Sequence, residues 1–219
     1  MATTGRVQRP GAQEWVPPAA DVDDLRAAAP ACRGCELWEP ATQVVFSAGP
    51  SDARLVLVGE QPGDREDREG EPFVGPAGRV LSDALVSAGI PRGDVYVTNA
   101  VKHFRFEERG PRRLHKSPAV THIRACLPWL SAELAVVRPQ VVVCLGVTAA
   151  KAVVGEAATL GALRGRILGD DEVGTGLGAG RRVLITAHPS SILRLQDPAE
   201  RRAATGALVE DLCIAAAEA

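Results

Sequence analysis

The sequence predicts an α/β protein, a three-layer α/β/α sandwich around a central four-stranded parallel sheet. Short apolar runs rich in β-branched residues alternate with helical patterns, and the runs lack the polar alternation of half-exposed strands. The length of 219 residues suits one such domain, and a content of 46% hydrophobic and 24% charged residues is ordinary for a globular protein. This composition excludes whole-chain disorder and collagen-like or coiled-coil architectures.

The elements follow one another along the chain in a regular order. The first 20 residues are rich in Pro, Ala and Gly without periodicity, so we expect a flexible tail at 1–20 and a single domain over 21–219. An apolar spacing over 80–88 predicts a helix, and Ser117-Pro118 predicts the start of a longer one that Pro128 should kink. Further helices are expected from Thr148 and from about Pro198. The predicted strands are 54–58, 95–99, 141–145 and 182–186.

Net charge excludes nucleic-acid binding through bulk basicity. The chain has 27 acidic and 25 basic side chains, so DNA binding requires a local basic patch. The N-terminus lacks the apolar core of a signal peptide, and no run approaches the ~18 apolar residues of a membrane span. We therefore expect a cytoplasmic protein without a membrane partner. Its five cysteines should stay reduced, which favours a metal centre or core packing over disulfides.

Polar residues follow the first two predicted strands, where parallel sheets place their sites. The glycines of 59–64 (GEQPGD) permit close backbone approach to a ligand, and Glu60 and Asp64 can orient a nucleophile or stabilise a cation. Asn99 ends the second strand and can present a donor and an acceptor to a base edge. The plainer alternatives are an acidic turn and an asparagine that bonds its own backbone.

The last predicted strand leads into a second polar group. His188 can donate to a developing anion, while Ser190, Ser191 and Arg194 can hold phosphate. A proline-stiffened turn without chemistry explains the same residues about equally well.

The clearest basic segment is a predicted loop at 104–116 (FRFEERGPRRLHK). It holds five cations against two carboxylates, a local excess of three, and His115 lies inside it. A charged run is more often only a solvated face, and a lone loop histidine usually has no function.

Cys32 and Cys35 form a C-x-x-C pair, a spacing that lets two sulfurs share one metal centre. Cys126 is the favoured third ligand, because Cys144 lies in the apolar run VVVCL and Cys213 lies on the C-terminal helix, where a packing role is expected. The fourth ligand stays open among several histidines, and spacing alone does not separate zinc from an iron–sulfur cluster.

Together these motifs resemble those of the iron–sulfur members of the uracil-DNA glycosylase superfamily. They are the C-x-x-C, GE-x-PG followed by ED-x-x-G-x-PFVG-x-AG, VYVTNAVK and HPS, and they extend from about Ala31 to the C-terminal helix. The resemblance is closer to the UdgX type, which has GEQPG where ordinary members have a glycine in place of Gln61. That type also carries a basic insert that ends in a histidine, here RRLHK.

The resemblance implies a 4Fe-4S cluster with a structural purpose. In ordinary iron–sulfur members a cysteine follows the VK pair, and His103 occupies that position in this sequence. A histidine on an iron–sulfur iron is chemically acceptable, as Rieske centres show. The implied ligands are Cys32, Cys35, His103 and Cys126.

The resemblance also implies a pocket for a uracil that has left the base stack. Phe73 would stack on the base, Asn99 would read its Watson–Crick edge and His188 would donate to a uracil oxygen. Backbone amides around Gly59 and Gln61 would complete the pocket.

In the UdgX type, the insert histidine captures the sugar once uracil has left. His115 would attack the anomeric carbon and stay attached to the DNA, while Glu60 accepts a proton from its other ring nitrogen. Gln61 and Asp64 would order the site. The protein would then act once per uracil.

The expected partner is uracil-containing DNA, with single-stranded DNA preferred, and the expected state is a monomer. Leu193 or Leu195 is the expected wedge into the base stack. The expected phosphate contacts are Arg112, Arg113, Ser190, Ser191 and Arg194. Two alternatives remain open, namely an ordinary hydrolytic uracil-DNA glycosylase and a non-catalytic DNA-binding or redox module built around the cluster.

Overall fold

A computed structural model describes residues 9–156, 158 and 160–219, apart from the side chains at 160 and 162. The strands are β1 Ser47–Ala48, β2 Leu55–Gly59, β3 Val95–Asn99, β4 Phe106–Arg109, β5 Arg112–His115, β6 Val141–Leu145, β7 Ile167–Leu168 and β8 Arg182–Thr186. The α-helices are α1 Val22–Ala28, α2 Asp64–Glu69, α3 Pro76–Ser87, α4 Val120–Val137, α5 Val147–Val153, α6 Leu160–Leu163, α7 Asp170–Val173, α8 Pro189–Leu193 and α9 Pro198–Ala217.

The predicted parallel sheet is confirmed, with an extra strand at each edge. β3, β2, β6 and β8 pair in parallel in that order, and every residue of β2, β3 and β6 is buried. The short strands β1 and β7 pair antiparallel at the two edges, so the sheet has six strands rather than four. Each edge strand has two residues, too few to show a pattern in sequence.

Helices cover both faces of the sheet and complete the three layers. Alternate side chains of a strand point to opposite faces. Val56 and Val58 of β2 therefore pack in one core with residues of α1, α4 and α5, whereas Leu55 and Leu57 pack in a second core with α3, α8 and α9.

The start of α4 differs from the prediction by a few residues. The helix begins at Val120 rather than at Ser117-Pro118, because the Ala119 N–H donates to the His122 Nδ1 at 3.0 Å and closes the first turn. Pro128 lies inside α4 without interrupting it. The helices predicted near Thr148 and from Pro198 are present as α5 and α9.

Part of the predicted tail packs on the domain. The Ala12 N–H donates to the Ala125 carbonyl at 2.8 Å, the Gly11 N–H donates to the Gly34 carbonyl at 3.0 Å, and Arg9 pairs with Glu36. Residues 1–8 lie outside the described residues, and the division of the chain at residue 20 stays a prediction. Within the described residues, none of the helices is long and apolar enough to cross a membrane.

A buried ion pair joins α4 to the end of β3. Lys102 and Glu133 contact each other with side chains 1% and 0% exposed, and the hydroxyls of Tyr96 and Thr98 donate to Glu133 at 2.9 and 2.8 Å. A paired and hydrogen-bonded charge can be buried, whereas either partner alone would be strongly destabilising. The pair holds the segment after β3 in place against α4.

Candidate active site and metal centre

The carboxyl ends of the parallel strands bring the predicted site residues to one edge of the sheet. Gly59 at the end of β2 lies opposite Asn99 at the end of β3, and the Ala100 N–H donates to the Gly59 carbonyl at 2.9 Å. On the other side, the Gly146 N–H donates to the carbonyl of Thr186 at 2.9 Å, just before His188.

Gly59, Asn99 and Phe73 are in close contact. A Cβ atom on Gly59 would lie 2.3 Å from Asn99 Oδ1 and 2.7 Å from Phe73 Cζ, so only glycine fits there. Phe73 has a positive φ of 60°, and its ring centroid lies 6.5 Å from that of His188. The structure therefore brings Phe73 and Asn99 together at Gly59, with the His188 ring near Phe73, so the three side chains predicted for the uracil pocket lie close to one another.

A buried carboxylate that the sequence analysis missed shapes this pocket. Glu66 accepts hydrogen bonds from the N–H of Gly63 at 3.1 Å and from the N–H of Gly75 at 2.8 Å. It thereby ties the loop after β2 to the start of α3, beside Phe73. The only sequence signal was its place in the ED-x-x-G motif.

His188 is held as a neutral imidazole. Its Nδ1 accepts the Ser190 N–H at 3.2 Å and lies 2.8 Å from Ser190 Oγ, which leaves the ring proton on Nε2. Burial lowers the pKa of His188 to about 4. At neutral pH this side chain is therefore an uncharged hydrogen-bond donor.

The predicted basic loop is in fact an antiparallel hairpin of β4 and β5. Gly110 turns it with a φ of 58°, and Phe106 pairs with His115. His115 ends β5, and its Nε2 lies 3.4 Å from Glu60 Oε1. Burial lowers the pKa of His115 below its ordinary value, with the Glu60 carboxylate acting in the opposite direction.

Gln61 holds the two ends of this hairpin together. Its Nε2 donates to the carbonyls of Arg105 and Lys116 at 3.1 and 3.2 Å, and its Oε1 accepts the Arg105 N–H at 3.1 Å. The amide is buried and uses both its donors and its acceptor on backbone groups. Gln61 thus links the loop after β2 to the segment that carries His115.

Arg113 anchors the hairpin instead of presenting its charge to solvent. Its Nε donates to Asp64 Oδ1 at 2.5 Å and its Nη1 to Asp67 Oδ2 at 2.6 Å, and the side chain is 13% exposed. The guanidinium also lies 4.9 Å from the centre of the Phe106 ring. We therefore assign Arg113 to the support of the hairpin rather than to phosphate contact, because both carboxylates already occupy its donors. Arg112 is exposed.

Replacing Arg113 with alanine is expected to slow any reaction of His115 by about tenfold, because the hairpin then loses its hold on the core. The Asp67 carboxylate, fully buried, loses its cation, so the melting temperature should fall as well. Arg109→Ala removes the same charge from an exposed position of the hairpin and is the matched control. Quenched time courses with uracil-containing DNA, the substrate that the resemblance implies, and thermal melts of both variants measure these effects. Equal reaction rates and equal melting temperatures in Arg113→Ala and Arg109→Ala would contradict the anchoring role of Arg113.

The remaining expected DNA contacts lie beside His188. Ser190 is engaged with the His188 ring, and the Ser191 hydroxyl donates to the His188 carbonyl at 2.7 Å. Arg194 lies near enough to both His115 and His188 to lower their pKa values. Leu193 is 40% exposed, and Leu195 is half-buried.

Four predicted metal ligands line one pocket, namely Cys32, Cys35, His103 and Cys126. The Trp129 indole N–H donates to Cys32 Sγ at 3.3 Å, and the Lys102 N–H donates to Cys126 Sγ at 3.4 Å. Burial raises the pKa of Cys35 to about 11 and lowers that of His103 to about 4. Across the described part of the chain, no three His, Cys, Asp or Glu side chains are arranged to hold a single metal ion.

Comparison with known proteins finds relatives over most of the chain. A family profile described as the uracil DNA glycosylase superfamily matches residues 46–213. The Type-4 uracil-DNA glycosylase of Archaeoglobus fulgidus is 34% identical over 176 residues, which cover 78% of this chain and 83% of the relative. The protein of the same name from Thermotoga maritima is 38% identical over 172 residues, 78% of this chain and 82% of the relative. That from Pyrobaculum aerophilum is 33% identical over 174 residues, 80% and 85% respectively.

Proposed function

Since the chain belongs to the uracil DNA glycosylase superfamily, we propose that it excises uracil from DNA and that His115 then captures the sugar covalently. One observation carries the capture step, namely that His115 Nε2 lies 3.4 Å from Glu60 Oε1. The Glu60 carboxylate raises the pKa of both His115 and His188, so both imidazoles lie within electrostatic range of it. This arrangement pairs a nucleophile with a proton acceptor beside the base pocket.

Excision needs a pocket that stabilises the departing base. A uracil that has left the stack would pack on Phe73 and bond Asn99 through its Watson–Crick edge. As the N-glycosidic bond breaks, its electron pair moves to uracil, and the His188 Nε2–H donates to the oxygen where negative charge develops. A neutral His188 suits this step, because a cation there would oppose the positive charge on the sugar.

The same geometry supports the capture step. The His115 ring nitrogen that faces away from Glu60 forms a bond to the anomeric carbon, and the proton of the nitrogen that faces Glu60 passes to that carboxylate. The new imidazole–sugar bond has a poor leaving group, and no second acid stands among the residues assigned to the site. Each protein molecule therefore reacts with a single uracil and is then consumed, in the manner of the UdgX type.

The hairpin contacts support this role of His115. Gln61 and Arg113 hold its strands on the core, and Asp64 receives Arg113. A nucleophile that is already held near its target loses less conformational entropy during the reaction than one on a free loop. Gln61 and Asp64 thus order the site. Arg112 and Arg194 remain the proposed contacts for DNA phosphates, whereas the hydroxyls of Ser190 and Ser191 already bond His188 and support it instead.

We further propose that Cys32, Cys35, His103 and Cys126 hold a 4Fe-4S cluster. The four donors line one space, and three thiols with one imidazole are a ligand set that an iron–sulfur cluster accepts, since histidine replaces cysteine on iron in Rieske centres. When bound, such a group supplies a covalent link between the N-terminal segment, the end of β3 and α4. It has no step in the reaction.

A hydrolytic uracil-DNA glycosylase is the second candidate. The observation in its favour is the 33–38% identity to proteins named Type-4 uracil-DNA glycosylase. In that case water rather than His115 captures the sugar, and an abasic site is released.

One gel experiment separates the two functions. The protein is incubated with a several-fold excess of labelled single-stranded DNA that carries one uracil, and the products are run in SDS with and without prior alkali treatment. A shifted band that resists SDS and reaches about one equivalent of protein supports capture. The same DNA with thymine in place of uracil is the control. Free uracil and alkali-cleavable DNA in many turnovers, without a shifted band, would establish the hydrolytic function instead.

The midpoint of the pH dependence of capture is expected to lie below about 6.5, the ordinary pKa of a histidine. Burial lowers the pKa of His115, so protonation, which removes its nucleophilic lone pair, sets in at a lower pH than in a free imidazole. Glu60, which raises that pKa, and Arg194, which lowers it, are the charged groups that face the ring, and His188 is neutral. The rate of adduct formation under single-turnover conditions, measured as a function of pH, gives the midpoint of this dependence. A midpoint at or above the ordinary value of about 6.5 would contradict this expectation.

A further inference from the structure

The second oxygen of Glu60 has a partner of its own. The Thr148 hydroxyl donates to Glu60 Oε2 at 2.6 Å, while Glu60 Oε1 faces His115. Thr148 is the second residue of α5, the helix that follows β6, and β6 lies next to β2 in the sheet. Glu60 and Thr148 are 88 residues apart in the sequence, so no local sequence motif predicts their contact.

We propose that Thr148 is a positioning residue for the capture step, whose hydroxyl holds the Glu60 carboxylate with its other oxygen aimed at His115. This inference rests on the proposed function, because it assigns Thr148 a part in the proton transfer from His115. Thr148 itself exchanges no atom with the DNA.

A carboxylate needs such a partner to keep one orientation. The last torsion of a glutamate side chain is broad, so an unheld carboxylate rotates over many angles. The Glu60 side chain is 20% exposed, and water can compete for its oxygens. A hydrogen bond from Thr148 to one oxygen fixes the direction of the other.

The start of α5 makes Thr148 a suitable donor. A threonine within a helix often bonds the carbonyl three or four residues earlier. For Thr148 those residues are Leu145 and Cys144, which belong to β6, and the bond that the hydroxyl makes instead runs to Glu60. Ala149 and Ala150 are fully buried beside it, so the backbone that carries Thr148 is part of the core.

Two sets of contacts thus align the side chains of His115 and Glu60. His115 is 49% exposed on a hairpin, and Gln61 brings that hairpin to the core. Thr148 holds the proton acceptor from the opposite side, on a helix that belongs to the core. The contact between His115 and Glu60 requires both, since a displacement of either side chain lengthens it.

The first test measures how the sugar is partitioned between His115 and water. Thr148→Val keeps the shape of the side chain and removes only the hydroxyl, whereas Thr148→Ser keeps the hydroxyl. We expect the ratio of SDS-resistant adduct to free abasic DNA to fall about tenfold in Thr148→Val and to stay within about threefold of wild type in Thr148→Ser. A merely structural role would slow excision and capture together and leave the ratio unchanged, which would overturn the proposal.

The second test does not depend on capture. NMR titration of the His115 ring in the DNA-free protein compares wild type with Thr148→Val, Thr148→Ser and Glu60→Gln. The Glu60 carboxylate raises the pKa of His115, so a carboxylate that turns away lowers it. We expect the His115 midpoint to fall in Thr148→Val and in Glu60→Gln, and to stay near the wild-type value in Thr148→Ser.

The two measurements distinguish failure of this inference from failure of the proposed function. If wild-type protein makes no adduct, the proposed function is wrong, and the titration alone decides whether Thr148 orients Glu60 toward His115. A midpoint in Thr148→Val equal to that of wild type overturns the positioning role in either case. Far-ultraviolet circular dichroism of each variant confirms that the comparison is between folded proteins.

Discussion

His115→Ser is expected to abolish the SDS-resistant adduct, a loss of at least about a thousandfold in capture rate. Serine has no imidazole N–H that can pass a proton to Glu60, and its side chain is shorter than the histidine that it replaces. The residues proposed for excision, Asn99 and His188, are unaltered, so uracil should still be released and water should take the sugar. The labelled-DNA gel and a direct assay of free uracil measure both products.

The fold should tolerate this change, because the His115 side chain is 49% exposed at the end of a hairpin. Glu108→Ser replaces an exposed residue of the same hairpin and serves as the control, with normal adduct formation expected. An adduct of undiminished yield in His115→Ser would show that another side chain is the nucleophile. Loss of uracil release together with the adduct would place His115 in excision itself.

Cys126→Ser is expected to remove the visible absorption near about 400 nm that an iron–sulfur protein shows, together with its bound iron. Cys126 lies on α4, 6% exposed, in the pocket that it shares with Cys32, Cys35 and His103. Loss of one protein ligand frees α4 from the N-terminal segment, so the melting temperature should fall with the colour. Absorption spectra, iron analysis and thermal melts of protein purified without oxygen measure these effects.

Cys213→Ser is the matched control for this experiment. Cys213 is exposed on α9 and does not line the pocket, so the same chemical change there should leave colour and iron content as in wild type. A colourless wild-type protein with one zinc ion per chain would refute the cluster. Colour that persists in Cys126→Ser would remove this cysteine from the ligand set.

The core of the sheet was predictable because its signal is local. Three of the four parallel strands have the predicted bounds, and β2 begins one residue later than predicted. An uninterrupted apolar run between turn residues reflects burial on both faces, whatever the strand pairs with. The positions of Gly59, Asn99 and His188 were predictable for the same reason, since each lies at or just after the carboxyl end of a parallel strand, and these ends meet at one edge of the sheet.

The edge strands and the start of α4 were not predictable in this way. β1 and β7 have two residues each, and pairing with β3 and β8 alone defines them. The start of α4 depends on the His122 ring, which accepts the Ala119 N–H and so caps the helix. In the sequence, Ser117 before Pro118 is the expected capping residue.

By itself, the sequence determined the parallel sheet, the positions of the polar groups at its edge and the closeness of Cys32 to Cys35, because each depends on neighbours along the chain. Only the tertiary structure decided how charged and polar residues of 104–116 are used. Arg113 and Arg112 are adjacent and alike in sequence, yet one is clamped by Asp64 and Asp67 and the other is exposed. The contacts from Gln61 to Lys116 and from Thr148 to Glu60 span 55 and 88 residues. Such partners are chosen by the packing of distant segments, and a side chain's identity does not reveal which partner it meets.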